Sequence, residues 1–537
     1  MSLYPDALRD ERVREYLLPV RVMKSESTER PEKLLENRGV QVYLHHFKAA
    51  ADGCVMQPGG MILLDFGIEL HGGVRINVYG SAGQVRLRFG ESVSEALGTP
   101  NQNHAIHDAE LLLPNIGMME YGNTGFRFVS LVNTGSAPLT LFSIHAVAVY
   151  RDLAYAGSFQ SSDERLDRIW RTAAYTLQLN LQDYIYDGIK RDRLVWMGDM
   201  HPEVRGMLSA FRDLSLVEKS LDFMRTTTDH PRGMNDCWSY SMWYLICLRD
   251  YYRASGNHEF LLKQKECVLF MLDMLESFIG EDGAEAVGGT RFLDWPTREN
   301  EPAKHAGLQG LMVLAMRALE ELMGFFGMDA SRPRAAQAKL ARHVPDCAGS
   351  KAAAALQHLS GLADRRDVLE QDPYRGVSTF FGFYVLLAKQ TVPALELIRR
   401  YWGAMLDFGA TTFWEDFNLD WTRNAGRIDE LPVPGKDDLH ADFGAYCYVG
   451  LRHSLCHGWS CGPLPFLSER LLGVRFLEPG GAKVSVTPQD GGLEYVKGTF
   501  PTPKGIITVE KTGQDRWRID APNGVEIVPA PETAGEK

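Results

Sequence analysis

With 537 residues, 45% of them hydrophobic and 23% charged, the chain has the make-up of a folded protein of two or three domains rather than a disordered or fibrous one. A formal charge of −12, with no Lys/Arg-rich tract, excludes the basic face that nucleic-acid binding needs. No stretch reaches the roughly 18 apolar residues of a membrane span, so neither a nucleic-acid nor a membrane partner is expected.

In chain order, the first segment, "MSLYPDALRDERVREYLLPV", has no apolar stretch of the kind that marks a secretory leader. The chain as given therefore reads as cytoplasmic, and as periplasmic or secreted if a leader has been removed. From about Val42 to Tyr150 come short alternating runs broken by glycine: "MILLDFGIEL", "GGVRINVYG", "GQVRLRFGE", "FRFVSLVN" and "LTLFSIHAVAVY". Period-two alternation predicts antiparallel strands and an N-terminal β-sandwich domain with a leading segment, residues 1–157. At Ser158 the texture changes. "SSDERLDRIWRTAAYTLQLNLQDYIY" carries apolar residues at helical spacing behind a Ser/Asp start, and helical texture runs on to about residue 474. On the order of a dozen helices in close succession predict hairpins packed in a ring or bundle. Strands return over 475–537 in "AKVSVTPQD", "LEYVKGTF", "GIITVEKT" and "RWRIDAP", a second β domain with a loose polar tail beyond Pro529.

Within the helical region the run "YDGIKRDRLVWMGDMHPE", residues 186–203, crowds Asp187, Asp192, Asp199 and Glu203 among Lys190, Arg191, Arg193, Trp196 and Gly198. Asp199 reads equally as the N-cap of the following helix, and Asp192 as an ion-pair partner of Arg191 or Arg193. Crowded carboxylates beside an indole, however, raise one another's pKa by repulsion and desolvation, which is how a general acid is kept protonated. Asp294 and Trp295 follow in an interhelical loop, "GTRFLDWPTRENE". Glu415, Asp416 and Asp420 then sit among Phe413, Trp414, Phe417 and Trp421 in "GATTFWEDFNLDW". Any one of these aromatics is ordinary core; with a carboxylate among them, their faces suit the C–H-rich patches of a sugar ring. "LCHGWSCGPLPFL" adds His457 and Trp459. Its Cys456 and Cys461 lack a partner pair, so no metal is expected there, and the eight cysteines read as reduced and buried.

"DGIKRDRLVWMGD" resembles the signature of the α-L-rhamnosidases of glycoside hydrolase family 78, with Asp187, Arg191, Arg193, Leu194, Trp196, Gly198 and Asp199 in register. "GATTFWEDF" and "SLCHGWSCGPLPFLSERLLGVRFLEP" are similar to that family's later blocks, and the likeness extends from about residue 60 to 510. The resemblance implies a multidomain fold, an all-α (α/α)6 barrel over 158–474 flanked by N- and C-terminal β-sandwich domains. It implies Asp192 as general acid, where the family has glutamate, and Glu415 as general base of a single-displacement, inverting hydrolysis that needs no cofactor. Asp187, Arg191, Arg193, Trp196, Asp199, Asp294, Trp295, Trp414, His457 and Trp459 would then line the sugar. The substrate it implies is a terminal α-L-rhamnose on an oligosaccharide or glycoside, and a homodimer is compatible with it. Gly188-Ile189 for Cys-Pro and Val195 for Gly depart from the signature. Two other readings stay open: another (α/α)6 enzyme, in which Lys190, Arg191 and Arg193 grip a uronosyl carboxylate, and a carbohydrate-binding homologue without catalysis.

Overall fold

The computed structural model describes residues 8–39, 52–79, 82–99, 107–228, 232–514 and 516–528. The expected strand start near Val42 and the tail beyond Pro529 lie outside them.

The N-terminal part is one connected sheet of seven strands among the described residues: β1 (Val13–Leu17), β2 (Arg21–Glu29), β3 (Cys54–Tyr79), β4 (Gly83–Gly90), β5 (Asp108–Leu113), β6 (Ile116–Asn133) and β7 (Leu139–Tyr150). The order is β1-β7-β3-β6-β4-β5, with β2 also on β3. β3 joins two runs that the sequence shows as separate. Register shifts between Asp65 and Leu70 and between Gly72 and Val74 let one 26-residue strand continue through the glycines that look like breaks. Its alternating apolar side chains, with Phe89, Phe126 and Leu131 from neighbouring strands, form the core of this part. β1 and β2 fall in the expected leading segment. Their charged, half-exposed sequence hides them from an apolar-alternation test.

Twelve α-helices occupy the described residues between 164 and 466, and they alternate between two kinds. Met197–Ala210, Trp238–Ser255, Glu301–Phe325, Lys351–Leu359, Gly382–Ala388 and Pro463–Phe466 each pack on the next, and the last packs back on the first. Met197–Ala210 is buried at every position except Arg205, as befits a helix surrounded by others. Between them in sequence come Glu164–Asn180, Ser215–Thr227, His258–Ser277, Ser331–Leu340, Arg366–Glu370 and Thr391–Asp407. Glu164–Asn180 shows how they pack: Leu166, Ile169, Trp170, Ala173, Ala174 and Leu177 form an inward stripe behind an Asp163 cap whose side chain accepts from the N–H groups of Arg165 and Leu166.

The C-terminal strands are β9 (Val474–Phe476), β10 (Lys483–Val486), β11 (Val496–Thr502), β12 (Gly505–Gly513), β13 (Arg516–Asp520) and β14 (Glu526–Val528). They form a β14-β10-β9 sheet and a β13-β12-β11 sheet, and the latter is completed by β8 (Ser158–Ser161). Those four residues, expected to lead into the first helix, instead pair antiparallel with Val496–Thr499. All eight cysteines are free, and all but Cys447 are buried. No helix among the described residues is long and apolar enough to cross a membrane.

Candidate functional site

Three segments converge: the loop 187–194, the turn 413–417 and the stretch 451–460. Asp187 closes the loop on itself, its N–H donating to the Leu194 carbonyl at 3.1 Å and its Oδ1 accepting from the Leu194 N–H at 2.9 Å. The Asp187 carbonyl accepts from Gly458 N–H at 2.7 Å, and Gly188 bridges to His457. At the tip Asp192 and Arg193 both have φ of 55°, a left-handed conformation in which aspartate is among the better tolerated residues.

Asp192 keeps 35% of its side chain exposed, whereas Glu415 keeps 3%. Between them lies Arg191. Its Nη1 is 3.5 Å from Asp192 Oδ1, its Nη2 donates to Glu415 Oε1, and its Nε donates to the Arg452 carbonyl at 3.1 Å. One guanidinium therefore contacts both carboxylates, and the expected Arg191–Asp192 ion pair is present as part of this bridge. Glu415 Oε2 accepts from Ser454 N–H at 3.0 Å, while the Glu415 carbonyl accepts from Trp459 Nε1 at 2.9 Å and Thr379 Oγ1 at 2.5 Å. The residue is held at side chain and backbone alike.

Asp199 is not a helix cap. The helix begins at Met197 with Trp196 at the N-cap position, so Asp199 sits in the first turn with Oδ1 3.0 Å from His457 Nε2. Burial, reinforced by neighbouring carboxylates, holds Asp187, Asp199 and Glu203 well above the usual range, as acids able to donate. Burial pushes His457 down to about 4, so its ring is neutral near pH 7. The Asp199–His457 contact is then a hydrogen bond between neutral groups. His457 Nδ1, 3.9 Å from Glu415 Oε1, has no hydrogen-bond partner. Glu203, named in the crowded 186–203 run but not among the residues expected to line the sugar, packs so closely on Gly458 that a Cβ there would meet its Oε1 at 1.5 Å.

Asp294 is buried, accepting from Ser378 Oγ at 2.6 Å and from Trp295 N–H at 2.8 Å, and burial raises it to about 7. From Trp295 an aromatic wall continues through Tyr448 and Trp459 to His457, with ring centroids 5.8, 6.3 and 4.5 Å apart. Tyr446 lies against Trp295 at 5.7 Å. Trp196 is half-buried edge-on to Tyr240. Two candidates are engaged elsewhere. Trp414 has no exposed surface and packs behind the site on Phe417. Arg193 points to the N-terminal sheet and donates to the Asn123 carbonyl.

Lys190 corrects the uronosyl reading. Its ammonium is buried, 2.7 Å from Glu95, with Leu451 and His453 carbonyls at 2.6 and 2.8 Å. With Lys190 and Arg193 committed elsewhere and Arg191 on Glu415, the three cations do not converge on a ligand carboxylate. Among the described residues, Glu91, Glu95 and His440 have metal-ligand spacing, but the Lys190 ammonium lies within 3.4 Å of all three and supplies the cation. Cys456 and Cys461 take no part in that cluster.

Residues 154–316 match the model of the bacterial alpha-L-rhamnosidase 6 hairpin glycosidase domain. An alpha-L-rhamnosidase of Formosa agariphila is 22% identical over 189 residues, 33% of this chain and 20% of that protein. Among solved structures, a glycoside hydrolase family 78 rhamnosidase of Bacillus sp. GL1 superposes with a TM-score of 0.70 at 22% identity, over 87% of this chain and 52% of the other. A rhamnosidase from Klebsiella oxytoca with rhamnose bound gives 0.69 at 21% identity, over 86% of this chain and 96% of the other. The chain thus spans about half the length of the Bacillus protein. The resemblance to the α-L-rhamnosidases is borne out.

Proposed function

We propose, from a helical region similar to the bacterial α-L-rhamnosidase domain, that this chain is an inverting glycoside hydrolase releasing terminal α-L-rhamnose from glycans or glycosides. The twelve alternating helices are read as an (α/α)6 barrel over 158–474, and the flanking sheets as β-sandwich domains over 1–157 and 475–537. Asp192 is the general acid that protonates the departing oxygen, and Glu415 the base that activates a water on the opposite face of the sugar.

The observation that carries this reading is the Arg191 bridge. It joins an exposed carboxylate, where a leaving group can depart, to a buried one whose backbone and side chain are both fixed. Around the pair, Asp187 and Asp199 are neutral donors for sugar hydroxyls, and neutral His457 offers an unpartnered Nδ1. The wall of Trp295, Tyr448 and Trp459 gives the apolar surface that selects a methyl over a hydroxymethyl group.

A panel of nitrophenyl glycosides tests the substrate, with cleavage of the α-L-rhamnoside expected. Sugar binding without any cleavage would favour the non-catalytic alternative. NMR of the first-formed sugar tests the mechanism. β-L-Rhamnose should appear before mutarotation, and initial release of the α-anomer would overturn the assignment of roles.

A further inference from the structure

A buried charge cluster outside the sugar pocket ties the two catalytic segments to the N-terminal sheet. Glu91 and Glu95 follow strand β4, in and just before the short helix Val93–Leu97, and both are almost without exposed surface. Ser92 caps this helix, accepting from Glu95 N–H at 3.1 Å, and Glu95 Oε2 returns to the Glu91 N–H at 2.8 Å. This closed turn aims both carboxylates across the domain boundary.

Their cation is Lys190, two positions before Asp192, with Nζ 2.7 Å from Glu95 Oε1 and 3.4 Å from Glu91 Oε2. Glu91 also reaches the other segment. Its Oε2 accepts from Leu455 N–H at 2.6 Å and its Oε1 from Ser454 Oγ at 3.1 Å, and the N–H of the same Ser454 holds Glu415. The loop backbone is fastened to the sheet as well: Gly125 N–H donates to the Ile189 carbonyl at 3.0 Å, and His107 Nε2 lies 2.8 Å from the Lys190 carbonyl.

We infer that Glu91 is a positioning residue of the active site, setting Asp192 through Lys190 and Glu415 through Ser454. A buried ion pair gives little net stability against an apolar replacement, so its use here is geometric. The two arms separate experimentally, because an activated leaving group departs without a proton while an alkyl one does not.

The inference rests on the proposed hydrolase reading, and the test compares 2,4-dinitrophenyl with methyl α-L-rhamnoside in the full chain. Lys190→Met removes the cation of the acid arm and also its bonds to the Leu451 and His453 carbonyls beside Ser454. Its kcat should fall on both substrates, and at least roughly tenfold further on the methyl glycoside than on the dinitrophenyl one. Ser454→Ala keeps both charges and loosens only the Glu415 arm, so it should lower kcat on both substrates alike. Glu91→Gln should combine the two effects, with KM little changed. Equal losses on both substrates in Lys190→Met, or unaltered kcat in Glu91→Gln, would overturn the inference.

Hydrogen exchange of the Glu91→Gln protein reads the same coupling without catalysis. Faster exchange in both 187–194 and 451–457, with other regions unchanged, is expected. Unchanged protection in either segment refutes the coupling even if the wild-type chain proves to cleave no rhamnoside, an outcome that on its own would sink only the hydrolase reading.

Discussion

As the proposed general acid and base, Asp192 and Glu415 would make opposite demands on their surroundings, and their surroundings are opposite: exposure at a loop tip for the first, burial between Arg191 and Ser454 for the second. Asp192→Asn and Glu415→Gln should each lower turnover of a natural rhamnoside by at least roughly 100-fold with the fold intact. Near-normal rates would remove that residue from the mechanism. Asp294 gives a prediction about stability. Its carboxyl is raised to about 7, so between pH 4 and 7 the native state holds a proton that the unfolded state has lost, and stability falls as pH rises through that window. Asp294→Asn removes this slope. Relative to wild type it should gain on the order of a few kcal/mol at pH 7 compared with pH 4.5, and urea unfolding at the two pH values measures the difference. Gly458 admits no side chain, because Glu203 fills the space. Gly458→Ala should therefore lower both Tm and activity, and an unperturbed Tm would mean that Glu203 can swing aside.

At the scale of elements, the helices and the long β strands were legible because their periodicity is local: one apolar stripe or one alternating face announces each. What escaped depends on partners far away in sequence. Ser158–Ser161 is four residues of polar, unremarkable sequence that becomes a strand only because Val496–Thr499 lies beside it. The glycines of β3 look like chain breaks until β6 and β7 pair through them. This borrowed strand makes the first helix depend on the C-terminal sheets. Truncation after residue 474 would leave buried Phe159 uncovered and Ser158–Ser161 unpaired. The shortened chain is expected to be largely insoluble, which a soluble-fraction assay checks, and a soluble, active product would show that the helices stand without the sheets.

For the whole molecule, the site was readable to the extent that its residues cluster in sequence. The 186–203 run contains both the loop and the first turn of a surrounded helix, so Asp187, Asp192 and Asp199 were visible together. The direction each side chain takes was not. Trp414 and Trp459 are both aromatic neighbours of site residues, yet one has no exposed surface and the other donates to the Glu415 carbonyl. Glu91 left no sign at all, since "GESVSEAL" is an ordinary acidic helix start until Lys190, a hundred residues later, is folded against it.

The eight free thiols are distributed unevenly across this architecture: Cys54 in the N-terminal sheet, the others between 237 and 461, and none in the strands from 474 onward. In the native protein an alkylating reagent meets only the half-buried Cys447. Every later increment of mass then dates the opening of a particular region. A time course of intact-mass labelling, with peptide mapping of each adduct, makes the chain its own stopwatch: the moment at which Cys54 reacts relative to Cys247 or Cys456 tells whether the sheet detaches before the helices part or all of them yield in a single event.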